Sequence, residues 1–141
     1  MRKYAIKQLS IFVENKTGEL TDITTLISKN NISFKSINLV DANDFGILRV
    51  IVDDSVKTKK VLDEAGFSLT TSEVLAIEID NHVGSFNEVI HELSNNNINI
   101  EYTYTINNNK KGAFIFKVAD ADILKAAEVL HNSNIKILDK V

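Results

Sequence analysis

The sequence predicts an α+β protein made of two copies of one structural unit, and three observations support this prediction. Residues 9–52 align with residues 75–118 without a gap, at a constant spacing of 66 positions. Each copy begins with alternating apolar residues, and each then changes to the period of an amphipathic helix. The chain is therefore interpreted as an internal duplication, with one domain over residues 1–72 and a second over residues 73–141.

The first strand and the first helix of each copy follow from the apolar pattern. Residues 9–13 and 75–79 place an apolar side chain at every second position, which is typical of a strand with one buried face. Residues 86–93 then carry apolar side chains at helical spacing, and residues 20–27 carry a shorter version of the same stripe. Both helices run into asparagines, KNN and NNN, which tolerate the left-handed turn that ends a helix.

The second half of each copy contains two strands, a helix and a last strand. The polar segments DANDF and NNNKK separate the two strands of each pair, so we expect two antiparallel hairpins. A second helix is predicted near residues 56–65 and near residues 121–132, and the last strands begin within AGFSL and SNIKIL. Each copy is thus β-α-β-β-α-β, the ferredoxin-like arrangement with both helices on one face of an antiparallel sheet.

Composition and charge argue against several classes of protein. The chain has no cysteine, so it has neither disulfides nor a thiolate nucleophile, and its formal net charge is −3. An acidic chain lacks the clustered cations that bind a nucleic-acid backbone. We see no signal peptide and no stretch of the roughly 20 apolar residues that span a bilayer. The sequence therefore predicts a cytoplasmic protein that binds neither nucleic acid nor membrane.

The turn between the first strand and the first helix has the same Asn-x-x-Gly pattern in both copies. It reads NKTGEL at residues 15–20 and NHVGSF at residues 81–86. This corner, within a β-α-β-β-α-β unit, resembles the ACT domain, a small regulatory module that binds amino acids. The usual ACT corner has a proline before the glycine, where this chain has Thr17 and Val83. The resemblance implies a stand-alone protein of two tandem ACT domains.

The resemblance also implies where a ligand would bind. Glycine at a helix start lets the backbone approach a ligand, and the unpaired N–H groups there attract a carboxylate. In serine-binding members of the family, contacts come from this corner and from the strand after the helix. The predicted ligand-binding residues are Asn15, Lys16, Thr17, Gly18, Glu19, Leu20 and Ser33 in the first copy, and Asn81, His82, Val83, Gly84, Ser85, Phe86 and Asn99 in the second.

The two corners differ in charge, and asparagine has a structural interpretation as well. Glu19 and Asp22 lie in the first helical turn of copy one, whereas copy two has only Glu88 there. Acidic side chains at a helix start repel a ligand carboxylate, so we expect the second corner to be the better site. Asparagine is also common at helix N-caps and turns, and that interpretation stays open for Asn15 and Asn81.

No group of residues in the sequence is typical of an active site. His91 and His131 lie on separate predicted helices without further ligands at metal-binding spacing. His82 lies inside the second corner, where it can hydrogen-bond a ligand. The sequence therefore predicts a protein that is not an enzyme, with no catalytic residues, no metal and no cofactor.

The predicted function is a regulatory sensor that holds an amino acid near a domain interface. We expect a homodimer, because sheet edges of small units favour pairing, and a separate metabolic enzyme or regulator as the partner. One alternative is a protein-interaction module with no small-molecule ligand. Another is an RNA-binding sheet, suggested by the alternation of Tyr102 with Tyr104 and of Phe114 with Phe116.

Overall fold

The protein forms two compact units in a computed structural model, which describes residues 4–106 and 112–141. One unit is Lys7–Ser72, and the other is Glu73–Val141 together with the described part of Met1–Ile6. Ala5 explains why the first residues group with the second half of the chain, since its side chain is buried in the hydrophobic core of the Glu73–Val141 unit.

The Lys7–Ser72 unit has the predicted order of elements. Its elements are β1 (Ile6–Glu14), α1 (Glu19–Lys29), β2 (Phe34–Ala42), β3 (Phe45–Val52), α2 (Ser55–Glu64) and the beginning of β4 (Leu69–Ile79). Strand β3 lies between β1 and β2 and is antiparallel to both. The Phe12 N–H donates to the carbonyl oxygen of Ser68 at 2.9 Å, which brings the last segment of the unit beside β1.

The Glu73–Val141 unit repeats this order. It continues with the rest of β4, α3 (Ser85–Asn95), β5 (Ile100–Ile106), β6 (Gly112–Val118), α4 (Ile123–Asn132) and β7 (Lys136–Leu138). Strand β6 pairs with β4 and β5, and β7 pairs with β4, all antiparallel. A 3-10 turn at Asp120–Asp122 precedes α4, at the predicted start of that helix. The predicted turn at 107–111 lies outside the described residues.

Each unit has one hydrophobic core between its helices and one face of its sheet. In the Lys7–Ser72 unit, alternate residues of β1 and β3 pack against Ile23, Ile27 and Leu62 of the helices. In the other unit, alternate residues of β4 and β6 pack against α3 and α4. Full burial of one such aliphatic side chain contributes about 1.5–3 kcal/mol to folding. The predicted fold class, two ferredoxin-like units with helices on one sheet face, is confirmed.

The asparagines after the first helices end those helices in two ways. The Asn30 amide nitrogen donates to the Leu26 carbonyl and that of Asn96 to the Glu92 carbonyl, both at 2.8 Å. The next residue in each copy is left-handed, with φ 57° at Asn31 and 60° at Asn97. The predicted left-handed helix ends are therefore confirmed. No helix in the described residues is both long and apolar enough to cross a membrane.

Candidate functional site

The two strand-to-helix corners have nearly the same backbone geometry. Gly18 and Gly84 both have φ 93°, and each precedes its helix without a side-chain cap. Their carbonyls accept the first helical hydrogen bonds, from the N–H groups of Asp22 at 2.9 Å and Glu88 at 3.0 Å. The two N–H groups before each of these donors have no acceptor among the described residues. Each corner therefore presents free amides at the positive end of a helix.

The corner asparagines do not cap these helices. Asn15 and Asn81 are both exposed, and glycine occupies the N-cap position in each case. Each asparagine is instead the middle residue of a tight turn, in which the Lys16 N–H donates to the Glu14 carbonyl and the His82 N–H to the Asp80 carbonyl, so the interpretation as turn residues is confirmed. The helix-cap interpretation of these asparagines is therefore wrong, because a left-handed glycine sets the start of each helix.

A cavity of about 390 Å³ lies beside the first corner. It is lined by Val13, Glu14, Asn15, Lys16, Leu20, Leu39, Val40, Asp41, Phe45 and Gly46. The Lys16 ammonium pairs with the Glu14 carboxylate at 2.9 Å. The hydrogen bond to Glu14, followed by the charges of Glu14 and Glu19, raises the pKa of Lys16 above its ordinary value of 10.5. This cavity is largely apolar, with one ion pair at its corner.

A smaller cavity of about 250 Å³ lies beside the second corner and is more polar. Its lining includes His82 and Ser85 from the corner, and the acidic residues Glu78, Asp80 and Glu88. The Ser85 side chain is buried, and its hydroxyl has no hydrogen-bond partner among the described residues. A buried hydroxyl without a partner costs about 1–3 kcal/mol, so this cavity contains a polar group that a ligand can satisfy.

A family model described as an ACT domain pair matches residues 4–140. The chain belongs to the ACT domain family. A crystal structure of a Bacteroides thetaiotaomicron protein is 36% identical in sequence, with a TM-score of 0.88, over 96% of this chain and 92% of that one. The family inferred from the two corners is therefore confirmed.

Two further structures share the fold of this ACT pair at low sequence identity. The regulatory subunit of aspartate kinase from Thermus thermophilus, in its ligand-free form, has a TM-score of 0.64 at 10% identity, over 92% of each chain. A structure of aspartokinase alpha and beta subunits has a TM-score of 0.63 at 18% identity, over 94% of each chain. A search of curated protein sequences gives no significant match.

Within each ACT unit, the predicted strand residue lies far from the predicted corner. Ser33 follows α1, whereas Asn15 precedes it, and a helix of 11 residues separates its ends by about 16 Å. The Ser33 N–H donates to the Asp53 carboxylate at 3.1 Å, beside a separate cavity of about 510 Å³. Asn99 has the same relation to Asn81, because it follows α3 and is exposed. Neither unit by itself brings its two predicted contact positions together.

The remaining corner residues have different environments. Val83 is fully exposed, and Thr17 is also exposed. Leu20 lines the first cavity. Phe86 instead packs on Phe114, with ring centroids 4.8 Å apart. Leu20 and Phe86, each two positions after its left-handed glycine, therefore have different surroundings.

Two acidic residues, Glu78 and Asp80, are among the residues of the second cavity that were not predicted from the sequence. Both precede the corner on the chain and so lie outside the first helical turn. Side chains alternate along β4, so Ile77 and Ile79 face the core and Glu78 faces away from it. This alternation is the sequence signal that indicates a polar environment for Glu78, at the end of the strand that leads into the corner. The second cavity is consequently more acidic than the helix sequence alone suggests. The Lys136 ammonium, from β7, lies 3.9 Å from the Glu78 carboxylate.

The phenylalanines of β6 do not form the stacking surface on which the alternative of an RNA-binding sheet depends. Phe116 is fully buried in the core, and Phe114 packs against that core. Tyr102 and Tyr104 stack on each other, with centroids 6.4 Å apart. The two phenylalanines are therefore not available to stack on bases. Among the described residues, no three His, Cys, Asp or Glu side chains lie close enough together to hold a metal ion.

Proposed function

We propose that this ACT pair is a regulatory sensor that binds a small amino acid, or a similar zwitterion, at its strand-to-helix corners. The corner Asn81–Phe86 is the favoured site, and Asn15–Leu20 is the second. The chain acts on a separate enzyme or regulator instead of catalysing a reaction itself. We also propose that it works in the cytoplasm as a homodimer.

This proposal rests on one observation: the Ser85 hydroxyl is buried in the cavity at the second corner and has no hydrogen-bond partner in the part of the chain that the structure describes. In the same turn, the backbone N–H groups of Phe86 and Asn87 have no acceptor among the residues at 4–106 and 112–141. A ligand carboxylate would accept hydrogen bonds from donors of this kind at the positive end of α3. Its ammonium group would find carboxylate oxygens among the residues that line the cavity, such as Asp80 and Glu88.

The open space beside Gly84 supports the same site. A Cβ atom built on Gly84 meets no atom of the described residues within 4 Å, so a ligand can approach the backbone there. The first corner has the same opening at Gly18. Glu19 and Asp22 in the first turn of α1 already place negative charge at that helix start, which favours the second corner for a carboxylate.

A regulatory role is supported by the solved structures with this fold, since one of them is a regulatory subunit of aspartate kinase. The predicted strand positions, Ser33 and Asn99, stay proposals as ligand contacts. Each lies beyond the reach of its own corner, so a contact from either one requires a neighbouring unit or a second copy. The competing candidate, a protein-interaction module, predicts no response to any amino acid.

Thermal unfolding in the presence of each of the twenty amino acids, at about 1 mM, tests the proposal. A ligand with a Kd near 10 μM would add about 2.7 kcal/mol to the stability of the folded state. We expect one or two related amino acids to raise Tm by several degrees. Asn81→Ala should remove most of this shift and leave the ligand-free Tm unchanged, whereas Asn15→Ala should remove less. A flat response from all twenty would contradict the proposal.

A further inference from the structure

A groove of about 510 Å³ lies on the Glu73–Val141 unit, between α4, β7 and Tyr4, which precedes β1. Leu124 lines this groove and is 51% exposed, whereas Ala127 lines it and is buried. The other apolar residues of the lining are Ile135 and Ile137. Small-molecule sites have volumes of this size and are mostly apolar, with a few polar groups that fix the ligand. The groove therefore has the size and the character of a ligand site.

Helix α2 of the other unit is the counterpart of α4, which allows the two surfaces to be compared. Both helices have ten residues. After α2, the Phe67 N–H donates to the Leu62 carbonyl at 3.0 Å. After α4, the Ile135 N–H donates to the Leu130 carbonyl at the same distance. Leu62 and Leu130 are both fully buried. The two helices therefore correspond position by position.

Two positions that carry lysines in α2 carry a small residue and an acid in α4. The counterpart of Lys59 is Ala127, and the groove lies at this position. The counterpart of Lys60 is Glu128, so the charge there is reversed. In α2, the Lys59 ammonium pairs with the Asp63 carboxylate at 2.7 Å, so an aliphatic chain and an ion pair lie along the helix surface. The fold itself therefore does not require an open, acidic surface on α4.

The groove has two carboxylates available to a ligand. Glu128 and Asp139 line it and are exposed, and neither forms an ion pair or a side-chain hydrogen bond with another described residue. Lys136 also lines the groove, but its ammonium lies 3.9 Å from the carboxylate of Glu78, which lines the second corner cavity. His131 adds an imidazole that can accept a hydrogen bond in its neutral form. The groove is therefore complementary to a cation.

We propose that this groove binds a small organic cation with an apolar body, namely an aliphatic or aromatic amine. The apolar lining takes the hydrocarbon part, and the Glu128 and Asp139 carboxylates supply acceptors for the ammonium group. The Tyr4 ring belongs to the same lining, and the face of an aromatic ring attracts a cation. Such a ligand has the chemistry of the Lys59 side chain in the other unit, an alkyl chain whose ammonium pairs with a carboxylate.

Three probes of similar size test the charge that the groove selects. Phenethylamine carries an ammonium group, phenethyl alcohol is neutral and hydrocinnamate is an anion. We expect phenethylamine to bind with a Kd below about 1 mM, which is within the reach of a ligand of this size. The other two should bind at least about tenfold more weakly, because they lack the ammonium group that the carboxylates attract. Backbone-amide NMR measures each Kd, and the shifts should cluster in α4, in β7 and at Tyr4.

Two substitutions give the groove the residues of the other unit. Ala127→Lys fills it with the side chain found at Lys59, and Glu128→Lys reverses its charge. Each should raise the phenethylamine Kd at least about tenfold. Because Ala127 is buried, Tm is measured for both variants, and Glu128→Lys at its exposed position keeps the test decisive if Ala127→Lys does not fold. Glu64→Lys, the same charge change at the exposed end of α2, is the matched control and should leave the Kd unchanged.

Several results would overturn the proposal. One is the absence of any shift with phenethylamine at about 5 mM, a concentration at which even a weak small ligand is detected. Others are binding of phenethyl alcohol as tight as that of phenethylamine, or an unchanged Kd in Glu128→Lys. Shifts that cluster at residues 81–86 would place the amine at the second corner and would also overturn it. None of the probes is an amino acid, so their failure leaves the amino-acid test of the corners unaffected.

Discussion

Gly18 and Gly84 adopt the same left-handed backbone conformation, with φ 93° at each, although they are 66 positions apart in the chain. An added Cβ atom would meet no atom of the described residues within 4 Å at either position. Glycine is therefore required here by the backbone angle and not by crowding. The duplication has kept one backbone feature that both starts a helix and leaves its N–H groups accessible.

The first prediction concerns the energetic cost of this conformation. Gly84→Ala should lower the free energy of unfolding by about 1–2 kcal/mol, because an L-residue is strained in the left-handed region. Gly84→Asn should cost less, since asparagine tolerates positive φ and does so in this chain at Asn97. Urea unfolding of both variants measures the difference. Equal stability of Gly84→Ala and the unmodified chain would show that this corner relaxes to another backbone conformation.

The second prediction concerns the buried Ser85 hydroxyl. Ser85→Ala should leave the ligand-free protein as stable as before, or more stable by about 1 kcal/mol, because it removes a buried polar group without a described partner. The same change should reduce the stabilisation by the bound amino acid. Ser94→Ala, an exposed position on the same helix, should alter neither quantity. Loss of stability in ligand-free Ser85→Ala would mean that the hydroxyl has a structural role.

Much of the fold was predictable because periodicity is a local property that the duplication repeats. Two-residue alternation identified β1 and β4, and the change to a helical period identified α1 and α3. The paired asparagines correctly indicated left-handed helix ends. The 3-10 turn at Asp120–Asp122 was not predicted, because the acidic residues there fit a helix start as well as a tighter turn.

The candidate site was less predictable, because its cavities combine residues from separate elements. Glu78 comes from β4, Glu88 from α3 and Lys136 from β7, and no single segment of sequence indicates that they meet. The burial of Ser85 depends on the packing around the helix start in the same way. By contrast, the separation of Ser33 from Asn15 follows from the length of α1 alone.

The third prediction concerns the Lys16–Glu14 pair at the first corner. Glu14→Gln should lower the pKa of Lys16 toward 10.5, because Glu14 supplies both the hydrogen bond and the largest charge effect that raise it. The raised pKa means that any stabilisation from this pair is present below pH 10.5. This stabilisation is lost as the pH rises through the pKa of Lys16 in the folded protein.

Titration of the Lys16 side chain by NMR measures this change. Glu64→Gln, which removes an exposed carboxylate at the end of α2, is the control and should leave the Lys16 pKa as it is. An unchanged pKa in Glu14→Gln would mean that Glu19 or Asp22 causes the shift.

The last prediction compares the residues that follow the two glycines by two positions. Phe86 packs on Phe114 at 4.8 Å and on Phe116 at 5.9 Å, measured between ring centroids. Leu20 is exposed to a similar degree but carries no ring, and it lines the first cavity. Phe86→Ala should therefore cost about 2 kcal/mol in the free energy of unfolding and Leu20→Ala about 1 kcal/mol.

Chemical denaturation of the two variants in parallel tests this difference. Phe86→Leu separates the aromatic contacts from simple apolar burial, and it should recover about half of the loss because it restores most of the buried area. Since Phe86 fixes the first turn of α3 to the core, Phe86→Ala should also weaken amino-acid binding at the Asn81–Phe86 corner. Equal costs for Phe86→Ala and Leu20→Ala would show that the rings add nothing beyond their area, and that the two corners are anchored with the same strength.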